Sequence, residues 1–507
     1  MDRGEKFGRR ARRILMRRPA VARLGPTRVD RYEPMTTVVP RIALATSAVG
    51  PDPSTAGLAM LAGLTARRWR VQHFRSRACP TANAAVVEAS GLPGRHLDAW
   101  LMPPDVCRSL FALGAFGSNL ALVEGTLETP LAPRSCGAAD VPGSLAPLSR
   151  DLDLPIIAVV SLVERDRARD CGAFHLPHLP AGTEAVILDG VRSRDDLERI
   201  GRLIRLARGL PVVGAVDLLP QARWEVESAP LGEVPRGAIE ALGESFARHA
   251  DFKALAALAS SRDFPGCADP RAASPPVARP SARLRVAYAR DEAFGCYFPD
   301  TFEALASMGA ELVEFSPIRD GALPENVDLV MVGCGMPDLH AAELAANLSM
   351  TAALRQHVCR GKRIYAEGGG AAYLAGTMLI HGRAFPGVGI FPCEAELSPD
   401  PHPPTPVTRT LARDCWLGPR KTEVRGYLSG RWIVRPNDQA FDCPSCYGAL
   451  SRDRDLYFRH HAVGGMIHLH LAALPKVVAT FAGPHQPSLN RPSAVPPLED
   501  DDRDQDD

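Results

Sequence analysis

Three short stretches carry residue types that could do chemistry. The first, Ala45-Thr-Ser-Ala-Val-Gly50-Pro-Asp-Pro-Ser54-Thr55, leads from an apolar run into a helical pattern. A turn between a first strand and a first helix is a natural phosphate cradle, because free backbone N–H groups point out of it. Gly50 would let the backbone approach a phosphate, and the hydroxyls of Ser54 and Thr55 suit Mg²⁺. Such a loop also needs a lysine, and Pro53 stands in that place with Asp52 before it. Proline donates no N–H and aspartate repels phosphate, so on the residues alone this is a strand-to-helix turn that does not call for ATP. The second stretch, Ile364-Tyr-Ala-Glu-Gly-Gly-Gly-Ala-Ala-Tyr-Leu374, has the strand, tight turn and helix of a nucleophile elbow. Residues 368–370 are all glycine, so the turn either lets a helix pack close to a strand or is an elbow without its nucleophile. The third is Cys443–Cys446, a lone CxxC with no second pair. Two free thiols in a turn are favoured over a metal site shared with His460 and His461.

The elements that must position these residues follow from composition and periodicity. Of 507 residues, 46% are hydrophobic, and 59 basic side chains nearly balance 58 acidic ones. That supports a sizeable core and excludes wholesale disorder and a globally basic nucleic-acid binder. No apolar run reaches the roughly 20 residues of a membrane helix, and no secretory signal is evident, which predicts a cytoplasmic protein with reduced thiols. Short apolar runs at Arg41–Thr46, Val71–Phe74, Ala121–Glu124, Ile156–Val160, Ala185–Leu188 and Val212–Val216 alternate with helical stretches such as Thr55–Arg67 and Arg194–Arg208. Strands buried on both faces and separated by helices predict an α/β fold with a doubly wound parallel sheet over 40–261. Residues 262–283, rich in Pro, Ala, Ser and Arg, read as a linker. A second α/β unit over 284–483 begins with Leu284–Tyr288, Phe298–Met308 and Glu311–Phe315, and adds strands at Val327–Val332 and Arg363–Ala366. Residues 1–39 read as a disordered basic tail, with Met35 as a second candidate start, and 484–507 as a disordered acidic tail.

Longer strings bring a family into view. Residues 287–324 (AYARDEAFGCYFPDTFEALASMGAELVEFSPIRDGALP), 336–350 (MPDLHAAELAANLSM), 365–374 (YAEGGGAAYL) and 467–475 (IHLHLAALP) resemble the amidotransferase half of cobyrinic acid a,c-diamide synthases. VQHFR (71–75), HLDAWLMPP (96–104), LVEG (122–125), LDLPIIAVV (152–160), VILDGV (186–191) and LPVVGAV (210–216) resemble its synthetase half, in family order. The resemblance implies a P-loop-like synthetase domain followed by a class I glutamine-amidotransferase-like domain. It implies ATP and Mg²⁺ as cofactors and a corrinoid whose a and c acetate groups are activated as acyl phosphates and amidated with ammonia from glutamine.

Carried over position by position, the resemblance also implies departures. The family's glutaminase cysteine falls on Gly368 and its histidine on His468, with His470 beside it. Lacking a nucleophile to serve, His468 is expected to be a structural or ligand-contact relic, and no glutaminase activity is expected. Cys334 stands where the family has a glycine, and an ordinary buried cysteine is favoured there over a relocated thiol. The P-loop lysine falls on Pro53, a phosphate-cradling glycine on Asp52, and a Lys-x-Gly-Pro-Asp run on Arg75-Ser-Arg-Ala-Cys79. Asp98, read as a substrate contact, and Glu124, at a strand end that suits Mg²⁺, are retained. Arg75 and Arg77 are either exposed loop residues or contacts for a polycarboxylate tetrapyrrole. The expectation is a degenerate family member with activity lost or altered. The alternative is a non-catalytic tetrapyrrole-binding or structural partner of an active synthase homologue, or a homodimer, with no nucleic acid or membrane partner.

Overall fold

The computed structural model describes residues 39–46, 54–78, 84–127, 141–163, 179–229, 233–264, 284–411, 414–436, 456–474 and 477–478. Both expected tails, apart from Val39, lie outside these residues. So do Gly50, Asp52, Pro53, most of the expected linker and the Cys443–Cys446 pair.

Seven strands form the first sheet: β1 (Arg41–Ala45), β2 (Val71–Arg75), β3 (Arg95–His96), β4 (Leu120–Gly125), β5 (Ile156–Ser161), β6 (Thr183–Val191) and β7 (Val212–Asp217). All are parallel, in the order β3-β2-β4-β1-β5-β6-β7. Their runs are apolar without alternation because helices cover both faces, and every residue of β1 and β2 is buried. That includes Arg41, whose guanidinium donates to the carbonyls of Leu152 (2.8 Å), Arg262 (3.1 Å) and Asp263 (2.9 Å). A buried charge needs such partners, so the first two residues of the expected linker are held against β1.

The second region holds β8 (Arg285–Ala289), β9 (Phe294–Cys296), β10 (Glu311–Phe315), β11 (Leu329–Val332), β12 (Cys334–Gly335), β13 (Arg363–Glu367) and β14 (Ala375–Ile380). It continues with β15 (Arg383–Pro386), β16 (Phe391–Thr410), β17 (Glu423–Pro436), β18 (Leu456–Arg459), β19 (Ala462–Gly465) and β20 (Ile467–His468). A six-stranded sheet runs β10-β8-β11-β13-β19-β18, parallel except for the antiparallel β18. A five-stranded sheet, β15-β14-β16-β17-β20, and the small β9–β12 ladder pack beside it. The five-stranded sheet was not among the expected elements, and its strand β16 is rich in proline. Register shifts around His402 absorb its prolines, whose missing N–H would otherwise break the ladder. By contrast, the helix Arg194–Arg208 and strand Glu311–Phe315 stand where periodicity put them.

Within the part of the chain from Val38 onward, named contacts join the two sheet regions. Arg95 donates to Asp300 (2.5 Å) and Glu303 (2.9 Å), and the Tyr427 hydroxyl donates to Asp98 (2.5 Å).

Candidate active site

At the end of β13 the chain turns sharply. Gly368 has φ 51° and ψ −117°, a conformation costly for any residue with a side chain, and the helix Gly369–Leu374 starts immediately after it. The next two glycines permit close packing. A Cβ at Gly369 would lie 2.7 Å from Pro337 Cδ, and one at Gly370 only 2.1 Å from the Val332 carbonyl oxygen. The elbow is therefore pressed against the turn that follows β11.

That packing brings a thiol to the elbow. β11 and β13 are parallel neighbours with Val332 opposite Ala366, so Cys334 and Gly368 each sit two residues past the same rung. The Cys334 Sγ lies 3.1 Å from where a Gly368 Cβ would be, and the His468 ring lies 2.8 Å (Cε1) and 3.4 Å (Nε2) from that point. The His468 ring and the Cys334 sulfur thus crowd the same point beside the elbow, next to the start of the helix at Gly369. On its other side, His468 Nδ1 faces Glu367 Oε2 at 3.4 Å. Glu367 is steadied by the Leu469 N–H (3.0 Å) and the Tyr365 hydroxyl, both on Oε1.

The electrostatics follow from this contact set. Burial would raise the Cys334 thiol, but the His468 charge and the bonds from His468 and the Gly369 N–H bring it below the usual thiol range. Burial would likewise lower His468, but the Cys334 thiolate and Glu367 carboxylate hold its imidazolium up to about 10. Each group thus favours the charged form of the other, and the thiolate is the form in which a cysteine is nucleophilic. Cys334 is partly exposed, not the ordinary buried cysteine expected, and His468 has a thiol beside it after all. Glu367 and Tyr365 went unnoticed as positioning residues. The adjacent Glu-Gly-Gly-Gly string was their only sequence signal.

The candidates in the first sheet meet a different fate. Ser54 caps the helix Thr55–Ala66 by accepting the Gly57 N–H (3.0 Å), and its own N–H donates to Glu124 Oε1 (2.8 Å). Thr55 donates its hydroxyl to Glu227 (3.0 Å). Glu124 Oε2 pairs with His73 Nε2 at 2.8 Å, with His73 0% and Glu124 4% exposed. A Cβ on Gly57 would lie 2.6 Å from the Glu124 carboxylate, so the glycine lets the helix close over it. Burial would raise the Glu124 carboxyl, but His73 and Ser54 hold it below the usual carboxylate range. Mg²⁺ and ATP do not fit these described residues as they stand: the carboxylate and both hydroxyls are already engaged inside the protein. Among the described residues, no three His, Cys, Asp or Glu side chains cluster as metal ligands.

Asp98 is fully buried. It accepts the Tyr427 hydroxyl and the N–H groups of Trp100 (3.0 Å), Ala78 (3.4 Å) and Gly143 (3.4 Å). Those bonds make it an anchor between the two sheet regions, in place of the substrate contact that the sequence suggested. Arg75 is buried as the last residue of β2, which corrects the exposed-loop alternative. Arg77 stacks over the Tyr427 ring at 5.1 Å and donates to the Pro404 carbonyl. A cavity of about 530 Å³ does open where the two regions meet, bordered by Trp100, Met102, Arg150, Glu423, Arg425 and His470. Neither Arg75 nor Arg77 lines it.

Comparison with known proteins bears on both regions. Residues 285–470 match a CobB/CobQ-like glutamine amidotransferase domain. A cobyrinate a,c-diamide synthase of Methanothermobacter thermautotrophicus is 31% identical over 326 residues, which cover 61% of this chain and 69% of that protein. The chain belongs to the cobyrinate a,c-diamide synthase family. A hydrogenobyrinate a,c-diamide synthase of Streptomyces coelicolor is 28% identical over 495 residues, 88% of this chain and 97% of its own length. A cobyrinate a,c-diamide synthase of Methanosarcina acetivorans is 26% identical over 482 residues, 87% and 95%. Within this family's α/β architecture, the elbow and Cys334 both lie inside the matched amidotransferase segment, and so does His468. No helix among the described residues is long and apolar enough to cross a membrane.

Proposed function

We propose that this chain works in the cytoplasm in corrinoid or related modified-tetrapyrrole metabolism, as a protein of the amidating type whose nucleotide step is altered. The relatives are named for a,c-diamide formation on cobyrinate or hydrogenobyrinate, and the likeness runs through both sheet regions. In that reading, ammonia from glutamine joins the acetate side chains of the ring. The observation that carries the alteration is Glu124: the carboxylate that suits a metal at the end of β4 is buried on His73 and the Ser54 N–H. Pro53 in place of the lysine supports the same conclusion, since losing that charge removes stabilisation worth several kcal/mol at phosphoryl transfer. The cavity between the regions supports a small-molecule ligand, because its volume lies within the usual range for such sites and its wall carries Arg150 and Arg425 beside Asp151 and Glu423.

The same engagement of Glu124 supports a second reading, a non-catalytic tetrapyrrole-binding partner of an active synthase homologue. Two measurements test what they share, and formation of amide on the ring from ammonia and ATP separates them, since only the first reading expects any. Calorimetry with Mg²⁺-ATP is expected to show weak binding or none; micromolar affinity, displaced by a non-hydrolysable analogue, would sink the altered-nucleotide reading. Visible-absorbance titration with cobyrinic acid, hydrogenobyrinic acid and sirohydrochlorin is expected to give a shift with at least one, weakened by Arg425→Glu. No shift with any of the three would remove the tetrapyrrole.

A further inference from the structure

We propose that Cys334 is the nucleophile of this chain's amide-hydrolysing site, standing in for a side chain at the elbow, with His468 as its proton carrier and Glu367 as the residue that positions His468. This rests on the glutamine half of the function proposed above. Three geometric observations carry it.

First, the elbow keeps its strained backbone at Gly368 although no side chain there uses it. Second, the space a side chain at 368 would fill holds the Cys334 sulfur: the built Cβ and the Sγ are 3.1 Å apart, so two thiols could not both occupy it. Cysteine and glycine have, in effect, exchanged places across two neighbouring strand ends. Third, the thiol has a complete set of partners, with His468 against it and Glu367 Oε2 on the far ring nitrogen at 3.4 Å. Nucleophile, base and orienting carboxylate in that succession are how thiol hydrolases are built, whatever strand each residue comes from. A cysteine that merely filled a hole would need none of these.

The chemistry balances without any other reagent. The Cys334 thiolate attacks the carbon of a primary carboxamide such as that of glutamine. The C–N bond breaks as His468 gives its proton to the nitrogen, and ammonia leaves a thioester on Cys334. Water then attacks the thioester carbon while the neutral His468 takes its proton. The C–S bond breaks, the carboxylic acid leaves, and thiolate and imidazolium are restored. Activity should therefore depend on this thiol.

The test uses the full chain. Iodoacetamide labelling followed by mass spectrometry at pH 8.5 and pH 6 should show Cys334 modified at nearly the same rate at both. Glutathione, with a thiol near the ordinary value, should slow by about 100-fold over that range. His468→Gln should make Cys334 behave like glutathione, with circular dichroism showing that the variant is folded. Glutamine should be turned over to glutamate, and a glutamine-derived diazoketone should label Cys334. Cys334→Ala should abolish turnover, and the exchange variant Cys334→Gly with Gly368→Cys should restore it to within about tenfold. Ordinary, pH-steep alkylation of Cys334 would overturn its role as nucleophile whatever the substrate. An activated thiol with neither turnover nor diazoketone labelling would overturn the carboxamide substrate, and with it the glutamine half of the proposed function. Turnover that survives Cys334→Ala would place the nucleophile elsewhere.

Discussion

Among the described residues, two buried carboxylate–histidine pairs stand at strand ends, one in each sheet region, and their third neighbours set them apart. Near the end of β4, Glu124 faces His73 at 2.8 Å; at the end of β13, Glu367 faces His468 at 3.4 Å. The first pair is tighter, yet its carboxylate is completed by a helix-capping N–H and the histidine's Nδ1 has no hydrogen-bond partner among the described residues. The second has a partly exposed thiol on the other side of its histidine. A carboxylate–histidine pair closed by a backbone donor stabilises a fold. The same pair with a nucleophile attached and a way in can move protons to a substrate. Residue type at the pair is nearly identical, so the difference lies wholly in what the neighbouring strand or helix brings.

Substitutions can break that comparison. The largest expected effect is His73→Ala, which leaves the buried Glu124 carboxylate without its side-chain partner and should cost about 3–5 kcal/mol in urea unfolding. It should leave Cys334 alkylation unchanged; a parallel loss there would mean that the two pairs are not independent. His468→Gln should reduce Cys334 alkylation at pH 6 by about 100-fold, equivalent to about 2.7 kcal/mol. Its effect on stability should be smaller than that of His73→Ala, because Glu367 keeps its bonds from Tyr365 and Leu469.

Gly368→Ala tests whether the elbow space is already taken. The new Cβ would meet His468 and Cys334 at a positive φ, so a loss of about 1–3 kcal/mol in thermal or urea unfolding is expected. Cys334→Gly in the same chain should recover part of it, and no recovery would mean that the backbone alone sets the cost. The smallest effect concerns acid. Glu124 and Asp300 are both held below the usual carboxylate range although burial would raise them, Glu124 by His73 and Ser54 and Asp300 by His470 and Arg95. A carboxyl lowered on folding adds stability above its unfolded value, near pH 4, and loses it as pH falls through the folded value. Unfolding free energy should therefore decline below about pH 4, and less steeply in Glu124→Gln. An unchanged slope in that variant would show that Glu124 is not the titrating group.

The sequence by itself determined the α/β class, most strands of both parallel sheets, and the family. Buried strands and amphipathic helices write their periods directly into the chain, as β1, Arg194–Arg208 and Glu311–Phe315 show. It also marked the elbow, since three glycines between a strand and a helix have few other uses. Only the tertiary structure decided what stands around that elbow. Periodicity records which residues are buried, not which strands lie side by side, and the register of β11 on β13 is what carries Cys334 over Gly368. The same holds for β2 on β4, which lays His73 against Glu124 and turns a carboxylate that looked ready for a metal into a closed structural pair. A thiol and a glycine 34 residues apart cannot be seen to meet until two strands are hydrogen-bonded to one another.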